Sequence, residues 1–341
     1  MTHVRDRALN ALLGLAAGDA TGLPAQFHRQ ARSAWAREAG WKFSAALDEQ
    51  RVSRPLLPFT LGAGDPVPLS CTDDAETAAI ASLVLLQCEE ENSQTDLFSG
   101  WLDWMGGDDV WTGVAERSAV INAARGLVPP ATGNDNPEHW SDGAVPAGVP
   151  IGIRYAGDPA TAAEVAGRYA RISHAADGVW ATQAMARAIA ALVSGVPLAE
   201  ALADAASSVP DDSWLSRNLA VARRIRGSAA TPFEAVPDLV AELAPAVYSH
   251  ACVATETLPV AFVLAELSGG DLPTALGAAA LVSRQSDSMP AMVGAVCGAA
   301  GAVLPESWRR HVDEVPGVLN PRLKGIRLSD LADRLTAFGN Q

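Results

Sequence analysis

Positive charge, sulfur and strand alternation are all scarce in this chain. Lysine and arginine total 25 against 39 aspartates and glutamates, a net charge of −14 over 341 residues. That balance leaves no electrostatic basis for holding a nucleic-acid backbone. A phosphorylated small molecule is still accessible, because helix N-termini bind phosphate locally. The four cysteines, Cys71, Cys88, Cys252 and Cys297, form no CxxC pair. They therefore read as reduced core residues, with no zinc site and no disulfide framework. Long apolar runs are missing too: the longest, near Ala291 to Leu304, is short for a membrane span and rich in Ala and Gly. The opening MTHVRDRALN lacks a signal-peptide core, so the cytoplasm is the expected compartment. No stretch sustains the period-two alternation of a strand.

What is present is helical periodicity. Apolar residues recur at helical spacing over Arg5–Leu15, Thr77–Cys88, Ala160–Ile172, Gly178–Val193, Leu198–Ala206, Ser216–Arg226, Val236–Leu243, Leu258–Leu267, Leu272–Leu281 and Pro290–Ala302. Ser194-Gly195, Gly269-Gly270 and Pro305 punctuate them. The expected fold is all-α, one domain over residues 1–341, with roughly a dozen helices and close helix–helix approach where alanine dominates. Two Pro/Gly-broken stretches, 41–70 and 126–152, interrupt the pattern. The second carries Asn134, Asp135, Asn136, His139, Trp140 and Asp142, and a polar loop of that length points to function.

Three local groups carry chemistry. In CTDDAE, Cys71 to Glu76, Asp73 and Glu76 have capping-box spacing, and acids suit a helix's first turn. Equally, Thr72, Asp73 and Asp74 offer hard oxygen ligands suited to magnesium. The stretch SRQSDSMP places Ser286, Asp287 and Ser288 just before Pro290, near a second helix N-terminus, where they read either as caps or as further ligands. The third group, GLAAGDATGLPAQF from Gly14 to Phe27, reads locally as a helix end followed by a glycine turn carrying Asp19.

Taken together and in order, these pieces resemble the ADP-ribosylglycohydrolase family. GLAAGDATGLPAQF is similar to its GDAxGxPxE segment, and CTDDAETAAIA to its TDD metal motif. GNDNPEHWSDGAVPAGVPIGI is similar to its Asn/Gly-rich central loop, ISHAADGVWATQAMARAIAAL to its SH…DG helix, and VSRQSDSMPAMVGAVCGAAGA to its GGDTDT helix. The resemblance covers nearly the whole chain. It implies an all-α fold, a magnesium site and hydrolysis at C1″ of an ADP-ribosyl group. By position it makes Thr72, Asp73, Asp74, Asp287 and Ser288 metal ligands. It departs at two carboxylates: Gln26 and Gln285 stand where the family places acids, and Arg284 replaces a glycine. Gln26 cannot act as a general base, and fewer anions hold a dication less tightly. Arg284 brings a fixed charge that can stand in for a lost cation or hold a phosphate.

These changes imply one magnesium ion rather than two, with a metal-free site built on Arg284 as the alternative. Asp74 and Asp287 are the expected catalytic acids, since an oxocarbenium-like state needs carboxylates near the sugar. Gln26, Asn136, His139, Trp140, Asp142, His174, Arg284 and Gln285 are the expected substrate-binding residues. Trp101 and Trp104 read as core at helical spacing, and Trp140 as the better stacking candidate. His174 reads more as a helix-start residue than as a proton donor. The expected activity is hydrolysis of an N-ribosyl bond in a small nucleotide-like or ADP-ribosyl molecule, a biosynthetic or salvage intermediate. The alternatives are a conventional ADP-ribosyl-protein hydrolase and a non-catalytic ADP-ribose-binding module.

Overall fold

A computed structural model describes residues 2–22, 70–88, 92–244, 252–282, 285 and 288–338. Among them are sixteen α-helices and no strand beyond two isolated bridges, Ser141 with Val253 and Glu314 with Arg327. The helices in chain order are α1 (Thr2–Thr21), α2 (Asp73–Gln87), α3 (Gln94–Met105), α4 (Val114–Ala124), α5 (Ala131–Asn134), α6 (Gly148–Arg154), α7 (Pro159–Ala170) and α8 (Asp177–Ser194). There follow α9 (Leu198–Ser207), α10 (Trp214–Ser228), α11 (Pro232–Leu243), α12 (Ala254–Leu267), α13 (Leu272–Ala279), α14 (Ser288–Ala300), α15 (Glu306–Val312) and α16 (Leu328–Phe338). No helix among the described residues is long and apolar enough to cross a membrane.

Alanine and glycine decide how the core is built. Helix α14 is apolar on all sides and buried from Ser288 to Ala299, as a helix without a polar face must be. It packs lengthwise on α1. A β-carbon at Gly294 would lie 1.9 Å from the Gly14 carbonyl oxygen, and one at Gly18 would lie 1.9 Å from the Pro290 carbonyl oxygen. Both pairs therefore need glycine so that the two backbones can touch. This corrects the local reading of GLAAGDATG as a turn: α1 runs on to Thr21, and its glycines are contact surface. Helices α8 and α12 complete the interior, with α6, α7 and α9 around α8 and with α10 and α14 against α12. The main hydrophobic cluster reaches from Ala8 to Leu335.

The polar stretch 126–152 is more ordered than its composition implies. It holds α5, a 3₁₀ turn over Val145–Ala147 and the start of α6, whose residues are all buried. Burial, not propensity, makes these short helices, since isolated segments of this length do not hold in water. Residues 41–69 of the other irregular stretch lie outside the described residues.

Candidate functional site

The site begins where α1 ends and α2 starts. Asp19 sits in the last turn of α1, fully buried. Its Oδ2 accepts from the backbone N–H of Thr72 at 2.6 Å and of Ala75 at 3.1 Å, and its Oδ1 accepts from the Thr72 hydroxyl. Asp19 therefore does for α2 what an N-cap side chain normally does, but from another helix. Thr72 is the positional N-cap and makes no capping bond of its own. The capping-box alternative for Asp73 and Glu76 does not form. Glu76 turns inward instead and accepts from the backbone N–H groups of Val318, Leu319 and Asn320 at 2.6, 2.7 and 3.2 Å. Burial pushes its carboxyl up to about 7, against the pull of those donors.

Freed from capping, Asp73 and Asp74 converge with Asp19. One carboxylate oxygen from each of the three lies within 4.8 Å of the others. Asp74 is almost completely buried. Carboxylates this close repel by a few kcal/mol per pair unless a positive charge is near, and hard oxygens in such a group suit magnesium. The donor set therefore fits a small hard cation. Cys71, adjoining the triplet, is no nucleophile: burial, then the charges of Asp19 and Glu76, pushes its thiol well above the ordinary range.

The central loop and the SHAADG turn form a second cluster. Asn136 donates from Nδ2 to the carbonyls of Ala115 (2.7 Å) and Ser173 (2.8 Å), and its Oδ1 accepts from the Glu138 N–H at 3.1 Å. His139 Nδ1 lies 2.9 Å from the Asn136 carbonyl oxygen. The Trp140 indole donates to the Pro137 carbonyl at 3.1 Å. Asp142 is buried, and its backbone N–H bonds to the Cys252 carbonyl at 2.9 Å, beside the Ser141–Val253 bridge. His174 is fully enclosed, with Nε2 3.0 Å from the Ser141 hydroxyl and Nδ1 2.8 Å from that of Ser173. Burial, helped by His139, holds it down to about 3. Asn136 and His174 thus tie the loop together, and at physiological pH the His174 ring is neutral, with one ring N–H and no second proton to give.

At the start of α14, Ser288 is buried, and Gln285 donates from Nε2 to the Leu243 carbonyl at 2.7 Å. Gln26, Arg284 and Asp287 lie outside the described residues. Trp101 and Trp104 are core residues, as their spacing implied, and the Arg322 guanidinium stacks 4.2 Å over the Trp104 ring. The member of the acidic cluster that the sequence left out of the expected ligands is Asp19, which it placed in a glycine turn. Its signal was a lone carboxylate among the Ala and Gly of the second half of α1.

The sequence matches the family profile described as ADP-ribosylglycohydrolase over residues 1–340. The chain belongs to the ADP-ribosylglycohydrolase family. A solved structure described as "ADP-ribosylglycohydrolase-related protein complex" is similar in fold, with a TM-score of 0.60 and 22% identity over 99% of this chain and 100% of that one. A search of curated proteins finds no match. For an ADP-ribosylglycohydrolase family member the all-α fold is the expected one, and hydrolysis of a glycosidic bond is the family's chemistry.

Proposed function

We propose that the chain hydrolyses the N-ribosyl bond of a small nucleotide-like or ADP-ribosyl substrate. The observation that carries this is the convergence of Asp19, Asp73 and Asp74 at the start of α2. Thr72, Asp73, Asp74, Asp287 and Ser288 would hold one magnesium ion, which when bound supplies positive charge to orient sugar hydroxyls. Asp74 and Asp287 are the acids for the chemistry. One takes the proton of the attacking water on its carboxylate as the water oxygen bonds to C1 and the C1–N bond breaks, and that proton passes to the departing nitrogen, while the negative field of the cluster favours the positive charge that builds at C1 of the ribose. The loop from Asn136 to Asp142, with Trp140 half-buried at its surface, is the proposed substrate rim, and Gln26 and Arg284 complete the proposed binding set.

Gln285 supports a single ion. Its amide is fixed on the Leu243 carbonyl, where a carboxylate would face that oxygen with no proton to donate. The amide thus fits its surroundings in this chain, which favours altered chemistry over decay.

The test is chromatographic. Purified protein is incubated with ADP-ribosyl-arginine, NAD and nicotinamide ribotide, with magnesium or with EDTA. Release of ADP-ribose or ribose phosphate, suppressed by EDTA, is the expected result. No release from any substrate, with ADP-ribose still bound, would move the protein to the binding-module reading.

A further inference from the structure

Asp19 can serve the acidic cluster in one of two ways: as a ligand of the cation, or as the group that holds a ligand in place. Its hydrogen bonds separate the two. An ionised carboxylate has about four lone-pair sites. Asp19 meets three donors at the start of α2: the N–H of Thr72 at 2.6 Å, the N–H of Ala75 at 3.1 Å and the Thr72 hydroxyl. Most of its acceptor capacity therefore goes to α2, and both Asp19 and Thr72 are fully buried.

The bond from the hydroxyl sets the polarity of Thr72. A threonine hydroxyl has one proton and two lone pairs, and it rotates to suit its neighbours. Two carboxylate oxygens are within its reach: Asp19 Oδ1, and Asp73 Oδ1 at 3.5 Å. The second is at the outer limit of a hydrogen bond. The proton therefore points back at α1, and whatever else approaches the Thr72 oxygen meets a lone pair. Turned this way, the hydroxyl presents a cation with the side that coordinates it; turned the other way, its proton would face the charge.

We propose that Asp19 is a positioning residue for the cation and not one of its ligands: it takes the Thr72 proton, so that the Thr72 oxygen faces the ion as an acceptor beside Asp73 and Asp74. Outer partners of this kind decide which atom a metal ligand presents. The proposal rests on the one-magnesium reading above, and its test reads ion binding without turnover. Asparagine is the informative change, because its single oxygen cannot serve donors on both sides. Turned to keep the Thr72 and Ala75 N–H bonds, the amide of Asp19→Asn donates to the Thr72 oxygen and drives the hydroxyl proton toward the ion. Turned the other way, it sets its own N–H groups against those of the backbone.

The test is isothermal titration calorimetry of the full chain with magnesium, at a temperature where every variant is folded. The proteins are wild type, Thr72→Val, Thr72→Ser, Asp19→Asn and the double variant Asp19→Asn with Thr72→Val. Thr72→Val is expected to weaken magnesium about tenfold, and Thr72→Ser, which keeps the hydroxyl, less than about threefold. With Asp19→Asn already in place, Thr72→Val is expected to cost less than about threefold more, because the hydroxyl has lost its orientation. The charge removed with Asp19 cancels from that comparison. A full tenfold loss on top of Asp19→Asn would overturn the proposal, since independent effects mark Asp19 as a ligand in its own right. A Thr72→Val affinity within about twofold of wild type would also overturn it, and this arm stands even if Asp19→Asn does not fold. Wild type that binds no magnesium would overturn the proposal together with the one-magnesium reading, whereas magnesium binding indifferent to Thr72 would overturn the proposal alone.

Discussion

His174 shows how a histidine can stand in a site motif and do no acid–base work. Both ring nitrogens are engaged by serines, and burial holds the ring down to about 3 from an ordinary 6.5. Between those values the unfolded chain binds a proton that the folded chain refuses. The stabilisation is therefore complete above pH 6.5 and is lost as pH falls toward 3, with a full span of roughly 5 kcal/mol. Urea unfolding at pH 7, 5.5 and 4 checks this: the wild-type midpoint should fall with pH, and His174→Gln should start lower and fall less. Equal slopes would assign the acid sensitivity elsewhere. At this scale the sequence was legible where the acidic cluster is built from consecutive residues, as in Asp73-Asp74. It was illegible where a partner is distant. Asp19 meets Thr72 across 53 positions, and the ties of Asn136 run to Ala115 and Ser173 on two other segments. Spacing rules see no such pairs.

At the scale of elements, the crossing of α1 on α14 sets the site. Helix α1 delivers Asp19, and α14 opens with Ser288. Gly294→Ala should therefore act twice. Its β-carbon meets the Gly14 carbonyl oxygen at 1.9 Å, and parting the helices should cost about 1–3 kcal/mol, read as a lower melting temperature. Displacing α1 also moves Asp19 from the Thr72 and Ala75 N–H groups, so turnover should drop even at temperatures where the variant is folded. A melting temperature equal to wild type would show that the crossing tolerates a methyl group. The long helices were legible because their apolar period is long: the expected Gly178–Val193 and Leu198–Ala206 match α8 and α9 to within one residue at each end. The expected Arg5–Leu15 stopped short because Gly14 and Gly18 read as punctuation, whereas tertiary contact overrides that signal. Helix α15 escaped notice because seven residues give too few repeats to register a period.

For the whole molecule, the acidic cluster is where distant parts of the chain meet. Helix α1 supplies Asp19, α2 supplies Asp73 and Asp74, and Glu76, one turn on, fastens the loop before α16 through Val318, Leu319 and Asn320. A cation that binds this arrangement and not the unfolded chain stabilises the fold by mass action, about 2.7 kcal/mol at a concentration a hundredfold above its dissociation constant. For a chain of this size that is a rise of several degrees in melting temperature. Magnesium titration should produce such a rise and EDTA should reverse it. Asp74→Asn should abolish the response with little change in the metal-free melting temperature, because it removes one repelling charge along with the ligand. Asp19→Asn should lower both, since an amide nitrogen turned toward the Thr72 and Ala75 donors breaks the junction of α1 with α2. A magnesium response that survives Asp74→Asn would place the cation elsewhere and remove the cluster from the mechanism.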